Sequence, residues 1–261
     1  MPAYLPVALI ALVWLVIVIL NERVGLLSCD RFPNRGAKWF AYLWLGVLMI
    51  GLAYLVTGAA MKPTTARDLA KVPFYSLFSL HAVLVIFLVG WWLATGRPSM
   101  REFLNIRREA KTEAAAIGLS VGLGGWIFTL MAAGLVALIL RGIGLLNEPP
   151  QPPPMIGWMA ALPIWKKALI VLSAATVEEA FFRSWLQKQI GLIASTILFA
   201  LAHFTYAQPL LLIGVSVISI VIGITFWRTK NVVPGMIAHG IFDGIQLFVI
   251  IPIAFQVVGA G

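Results

Sequence analysis

The chain has 261 residues, of which 61% are hydrophobic and 11% charged, against roughly 45–50% and 25% in ordinary globular domains. A mean hydropathy of +0.96 excludes a soluble chain, the apolar content excludes disorder, and a single cysteine, Cys29, excludes a secreted disulfide scaffold. A net charge of +9 would suggest nucleic acid in a soluble protein. Here the basic residues sit between long apolar runs, so the partner they imply is a lipid bilayer and no nucleic acid.

A spanning helix needs about 20 mostly apolar residues. In chain order such runs fall at 4–20, 39–57, 74–95, 114–140, 168–186, 191–206, 210–227 and 232–258. The fold class is therefore all-α, a polytopic membrane protein of about eight transmembrane helices. The fifth run carries charges and the sixth is short before Gln208-Pro209, so the rival layout has six or seven spans with one of these two re-entrant. The first run has no basic leader and is long for a signal peptide, and is read as a retained helix. Between the fourth and fifth spans, Glu148 to Pro154 holds five prolines, which predicts an extended spacer. The charged, partly amphipathic stretch 101–113 is expected at the lipid surface. These features divide the chain into a four-helix region (1–145), a Pro-rich connection (146–164) and a second four-helix region (165–261), within one integral membrane domain. No internal repeat is visible.

Loops after the odd-numbered spans hold twelve Lys and Arg: Arg23, Arg31, Arg35, Lys38, Arg97, Arg101, Arg107, Arg108, Lys111, Lys188, Arg228 and Lys230. The opposite side holds six, Lys62, Arg67, Lys71, Arg141, Lys166 and Lys167. The bias predicts cytoplasmic odd loops and outward termini, which leaves Cys29 in a reducing compartment. The ten tryptophans are expected mostly as boundary anchors, on the example of Trp39, Trp165 and Trp227.

Three carboxylates (Glu178, Glu179, Asp243), one arginine (Arg183) and all three histidines (His81, His203, His239) fall inside predicted spans. An Asp or Arg at a helix centre costs about 2.5–3.5 kcal/mol on insertion scales, so such groups must face one another or water. Spacing sorts them. Glu179 and Arg183, four apart, share a helix face and can pair, while Glu178 points roughly 100° away. Phe199 and His203 share a face of the sixth helix, and His239 and Asp243 stack one turn apart on the eighth. Gly235, Gly240 and Gly244 there permit close helix approach. His81 has no carboxylate in its window and is expected to be a packing or interfacial residue.

Glu-Glu-x-x-x-Arg (178–183), Phe-x-x-x-His (199–203) and His-x-x-x-Asp (239–243), each on its own late helix, resemble the CPBP family of CAAX proteases and bacteriocin-processing proteins. The likeness covers about 176–243; the first four spans match only in being hydrophobic. Asp243 stands where prenyl-protein endopeptidases usually have Asn. The resemblance implies an intramembrane endopeptidase in a bacterial cytoplasmic membrane, with a conical intramembrane cavity, acting on a membrane-anchored protein or peptide. In it Glu178 and His203 would activate a water, and His239 with Asp243 would stabilise the oxyanion or orient substrate. Glu179 and Arg183 would act structurally, and Phe199 would line the cavity or pack. No cofactor is favoured; the metallo alternative is a divalent ion such as zinc on Glu178, Glu179, His203 and His239, although the His-Glu-x-x-His zinc signature is absent.

Other readings stay open. Taken alone, Glu179–Arg183 is a structural ion pair. Gly118-Leu119-Ser120 and Gly214-Val215-Ser216 have the Gly-x-Ser of a rhomboid serine protease, a tripeptide better read as helix packing, and the Gly-x-Gly-Asp of aspartyl types is missing. Buried Glu, Asp and His also mark ion paths, which makes a proton- or cation-coupled transporter the main competitor. Neither repeat halves nor paired broken helices support it. A non-catalytic membrane scaffold of the same family is the second competitor.

Overall fold

A computed structural model gives the fold and describes residues 4–25, 32–60, 66–107, 111–146, 153–204 and 208–254. Cys29 and most of the proline run lie outside the described residues. The helices are α1 (Tyr4–Val24), α2 (Arg35–Ala60), α3 (Ala66–Lys71), α4 (Ser79–Ala94) after a 3-10 turn at Phe74–Phe78, α5 (Met100–Phe103) and α6 (Lys111–Gly142). They continue with α7 (Pro154–Ala160), α8 (Ile164–Ser173), α9 (Lys188–Ala202), α10 (Pro209–Thr229) and α11 (Val233–Ile245). Wide π-helical turns occupy Ala174–Glu178, Ala180–Gln187 and Gln246–Ile250. No strand occurs among the described residues.

Six continuous stretches among the described residues are long and apolar enough to cross a membrane. One of them, Ile164–Ala202, has 39 residues; straight, it would measure nearly 60 Å at 1.5 Å per residue, about twice the hydrocarbon thickness. It bends at Gly191, whose φ of +81° a side chain would resist. The predicted fifth and sixth spans are its two legs, and with α1 the helical segments follow the eight read from the sequence. Pro154, placed in the extended run, instead starts α7, where its missing N–H costs nothing.

Glycine sets how closely α6 lies on the last two helices. A Cβ on Gly118 would stand 2.9 Å from the Pro234 carbonyl oxygen, one on Gly122 would stand 3.1 Å from the Ala238 Cα, and one on Gly125 would stand 2.9 Å from the Ile218 Cδ1. The close approach expected on α11 holds at Gly235, where a Cβ would meet Glu179 Oε2 at 3.3 Å, and loosens to ordinary contact at Gly240. At Gly244 nothing lies within 4 Å, because this part of α11 faces open space, so close approach there is not found.

α4 packs on the π-helical leg through an aromatic core. The rings of Phe87 and Trp185 are 4.6 Å apart, those of Trp91 and Trp185 5.1 Å, and those of Phe87 and Phe181 5.9 Å. Partner numbers rise together, so the two segments run parallel, as alternating crossings require of a third and a fifth span. Trp91 and Trp185 are thus core residues and not boundary anchors; their large rings fill the space between helices. Trp39, Trp165 and Trp227, by contrast, are exposed. The stretch 104–105 is tied inward as well: Ser184 donates to the Leu104 carbonyl (2.7 Å) and the Val232 N–H to the Asn105 carbonyl (3.1 Å).

Candidate active site

The two glutamates and His203 sit where their helix changes form. Glu178 closes the first π turn and Glu179 is the residue between the two π segments. π turns are rare and recur at functional sites, because the i→i+5 pattern re-aims side chains that a regular helix would spread. His203 caps the C-terminus of α9, with Phe199 one turn earlier. His239 and Asp243 project from α11.

The two adjacent glutamates have separate partners. Glu179 is fully buried, as is Arg183. The Arg183 Nε donates to Glu179 Oε2 (3.0 Å), and the other carboxylate oxygen lies 2.8 Å from His239 Nδ1. The rest of the guanidinium is used too: Nη2 donates to Ser219 Oγ (2.9 Å) and Nη1 to Gln187 Oε1 (3.4 Å), and the group lies 5.4 Å from the Phe199 ring centre. Gln187 in turn donates to the Gly223 carbonyl (2.8 Å). A Cβ on Gly223 would stand 3.2 Å from the guanidinium, so that position admits only the smallest residue without displacement. This follows the rule that a buried charge must be paired and hydrogen-bonded.

Glu178 turns the other way, toward two histidines. His203 Nε2 is 3.9 Å from Glu178 Oε2, while its Nδ1 is fixed 2.8 Å from the Phe199 carbonyl, to which it donates. That donation makes Nε2 the acceptor nitrogen whenever the ring is neutral. The other oxygen of Glu178 is held by His81, whose Nε2 lies 3.1 Å away. His81 was expected to be a packing or interfacial residue; it is a member of the cluster. Its carboxylate partner lies 97 positions along the chain, beyond the reach of any sequence window. One signal did point inward: His81 heads the stripe Leu84, Leu88 and Trp91, all buried, at helical spacing. Ser219 and Gln187 were missed as well, since a lone hydroxyl or amide in a span carries no pattern.

His239 lies between two carboxylates, Glu179 on Nδ1 and Asp243 Oδ2 on Nε2 at 3.3 Å. Asp243 is the more open of these, with 31% of its side chain exposed. Phe199 is buried between the two halves, its ring 4.6 Å from that of His203, 6.1 Å from that of His239 and 4.9 Å from that of Phe182. All seven residues singled out in the three motifs therefore meet in one region, joined by His81 from α4. No group of three or more His, Cys, Asp or Glu side chains that could hold a metal ion is found among the described residues. A cavity of about 360 Å3 lies elsewhere, between α9 and α10, and is lined by apolar groups such as Ile197, Leu201 and Leu212.

Residues 160–245 match the family model described as type II CAAX prenyl endopeptidase Rce1-like. All three motifs lie within that segment. A Bacillus subtilis (strain 168) protein, described as uncharacterized protein YpbD, is 39% identical over 77 residues, which cover 29% of this chain and 41% of that relative. The chain thus matches about two fifths of the relative's length. No solved structure gives a significant match.

Proposed function

We propose that this integral membrane protein is an endopeptidase that hydrolyses a peptide bond of a membrane-associated protein or peptide, using a water activated by Glu178 and His203. The observation that carries the reading is the pair Glu178 Oε2 and His203 Nε2, 3.9 Å apart. The gap is too long for a direct hydrogen bond and lets both atoms accept from the two protons of one water. Glu178 takes a water proton as the oxygen attacks the carbonyl carbon; the C–O bond forms and the carbonyl electrons move to oxygen. When the C–N bond breaks, the proton passes through Glu178 or His203 to the leaving amine.

His239 supplies the positive side of the site. With an ionised carboxylate on each ring nitrogen, both nitrogens must donate, which only the imidazolium does. Asp243 is partly exposed and more distant than Glu179; when it swings toward the substrate, the Nε2–H of His239 becomes a donor for the developing oxyanion. Glu179 and Arg183 keep that imidazole in place. The proposed chemistry needs no metal. Both oxygens of Glu179 and both nitrogens of His239 already face partners, which supports this metal-free reading over an ion held by Glu178, Glu179, His203 and His239.

The decisive experiment is Glu178→Gln in the purified full chain, assayed in proteoliposomes with a quenched-fluorescent peptide carrying a lipid anchor. General acid–base groups contribute about 10²–10⁴-fold, so cleavage is expected to fall by at least ~100-fold while the protein remains folded by thermal unfolding in detergent. Cleavage at the wild-type rate would overturn the reading. A strong chelator is expected to leave the rate unchanged; stoichiometric zinc whose removal stops cleavage would refute the metal-free chemistry.

A further inference from the structure

We propose that His81 of α4 is a positioning residue that sets the carboxylate rotor of Glu178. The inference rests on the proposed reading of Glu178 as the base, and extends the site beyond residues 160–245 into the N-terminal half of the chain.

The terminal torsion of a glutamate is broad and roughly two-fold, so an unrestrained carboxylate presents either oxygen over a wide range of angles. Among the described residues no lysine or arginine pairs with Glu178; Arg183, one turn on, is committed to Glu179, Ser219 and Gln187. The His81 Nε2–H donates to Oε1 at 3.1 Å, and this contact leaves Oε2 for His203. The other ring nitrogen, Nδ1, is buried and makes no hydrogen bond among the described residues. The imidazole thus has a single polar task.

The ring itself is held firmly. It packs 6.1 Å from the Phe78 ring, at the point where the 3-10 turn passes into α4. Two turns on, Phe87 and Trp91 lock α4 against Trp185 of the same leg that carries Glu178. A donor mounted on one rigid element and a carboxylate on another keep their separation, which is what a supporting shell must do. Losing it lets the carboxylate rotate away from the water shared with His203, and a misplacement of about 1 Å can cost about 100-fold in rate.

The test uses the full chain in proteoliposomes with the same lipid-anchored fluorogenic peptide, comparing His81→Leu and His81→Gln. His81→Leu is expected to lower kcat by ~10–100-fold with little change in KM, because substrate does not touch His81. His81→Gln, whose amide nitrogen reaches the place of Nε2 and donates, is expected to recover most of that loss. A merely structural histidine would not show this rescue by a donor. A second measurement does not depend on activity: a double-mutant cycle of His81→Leu and Glu178→Gln on thermal unfolding in detergent. The double variant is expected to shift Tm by less than the sum of the single shifts. Wild-type turnover in His81→Leu, or additive Tm shifts, would overturn the inference and leave the protease reading standing. If the wild type cleaves no peptide, the protease reading fails, and the thermal cycle still decides whether His81 holds Glu178.

Discussion

Two glutamate–cation pairs in this protein have the same chemistry and opposite surroundings. Near the end of α1, Glu22 receives the Lys38 ammonium and the Tyr42 hydroxyl, each at 2.6 Å, and Asn21 donates to the same hydroxyl. The Glu22 and Lys38 side chains are 45% and 35% exposed. In the other pair, Glu179 and Arg183 have no exposed surface at all, and His239 and Ser219 complete their contacts. The shorter contact is the less consequential one. Exposed pairs trade protein contact for water at little net gain, whereas a buried charge stripped of its partner stays uncompensated. Distance alone says nothing about what a pair does.

Removing cations sharpens the contrast. Arg183→Met is expected to cost about 3–5 kcal/mol, since it leaves Glu179 buried without its cation. The readout is thermal or denaturant unfolding in detergent, with loss of cleavage following loss of the His239 position. A stable, active Arg183→Met protein would erase the distinction between the two regions. Ser219→Ala tests the same network more gently: it removes one acceptor from the guanidinium at 2.9 Å, and hydrogen bonds to charged groups are worth about 1.5–3 kcal/mol.

The smallest effect is expected at Lys38→Met, with a Tm within ~2 °C of the wild type. That difference should depend on pH. The Lys38 hydrogen bond, followed by that of Tyr42, holds the Glu22 carboxyl below its ordinary value. A lowered folded-state pKa stabilises above the unfolded value and loses that contribution as the pH falls through the folded one. Wild type and Lys38→Met should therefore differ at neutral pH and converge in acid, as measured by Tm across a pH series. A gap that widens in acid would contradict the assignment.

Much of the molecule was legible from residue type and spacing. Apolar runs of membrane length located the helices, because every backbone group in hydrocarbon must be satisfied within its own segment. The four-residue spacings placed Glu179 with Arg183 and His239 with Asp243, since neighbours on a helix face are local relations. The bend at Gly191 was legible only as a gap between spans. What joined one run to another had no sequence signal: Glu179 to His239 across 60 positions, Arg183 to Ser219 across 36, and His81 to Glu178 across 97.

The sequence alone determined that the chain is helical, embedded in lipid, and burdened with a few titratable groups that water or one another must satisfy, because burial of charge is penalised wherever the chain places it. The tertiary structure decided which glutamate each imidazole would take, bringing His81 and His203 to Glu178 and His239 to Glu179, with glycines that draw α6 against the last helices. Contacts between distant segments depend on how helices pack and cross, and packing follows from all the facing side chains together, never from one motif.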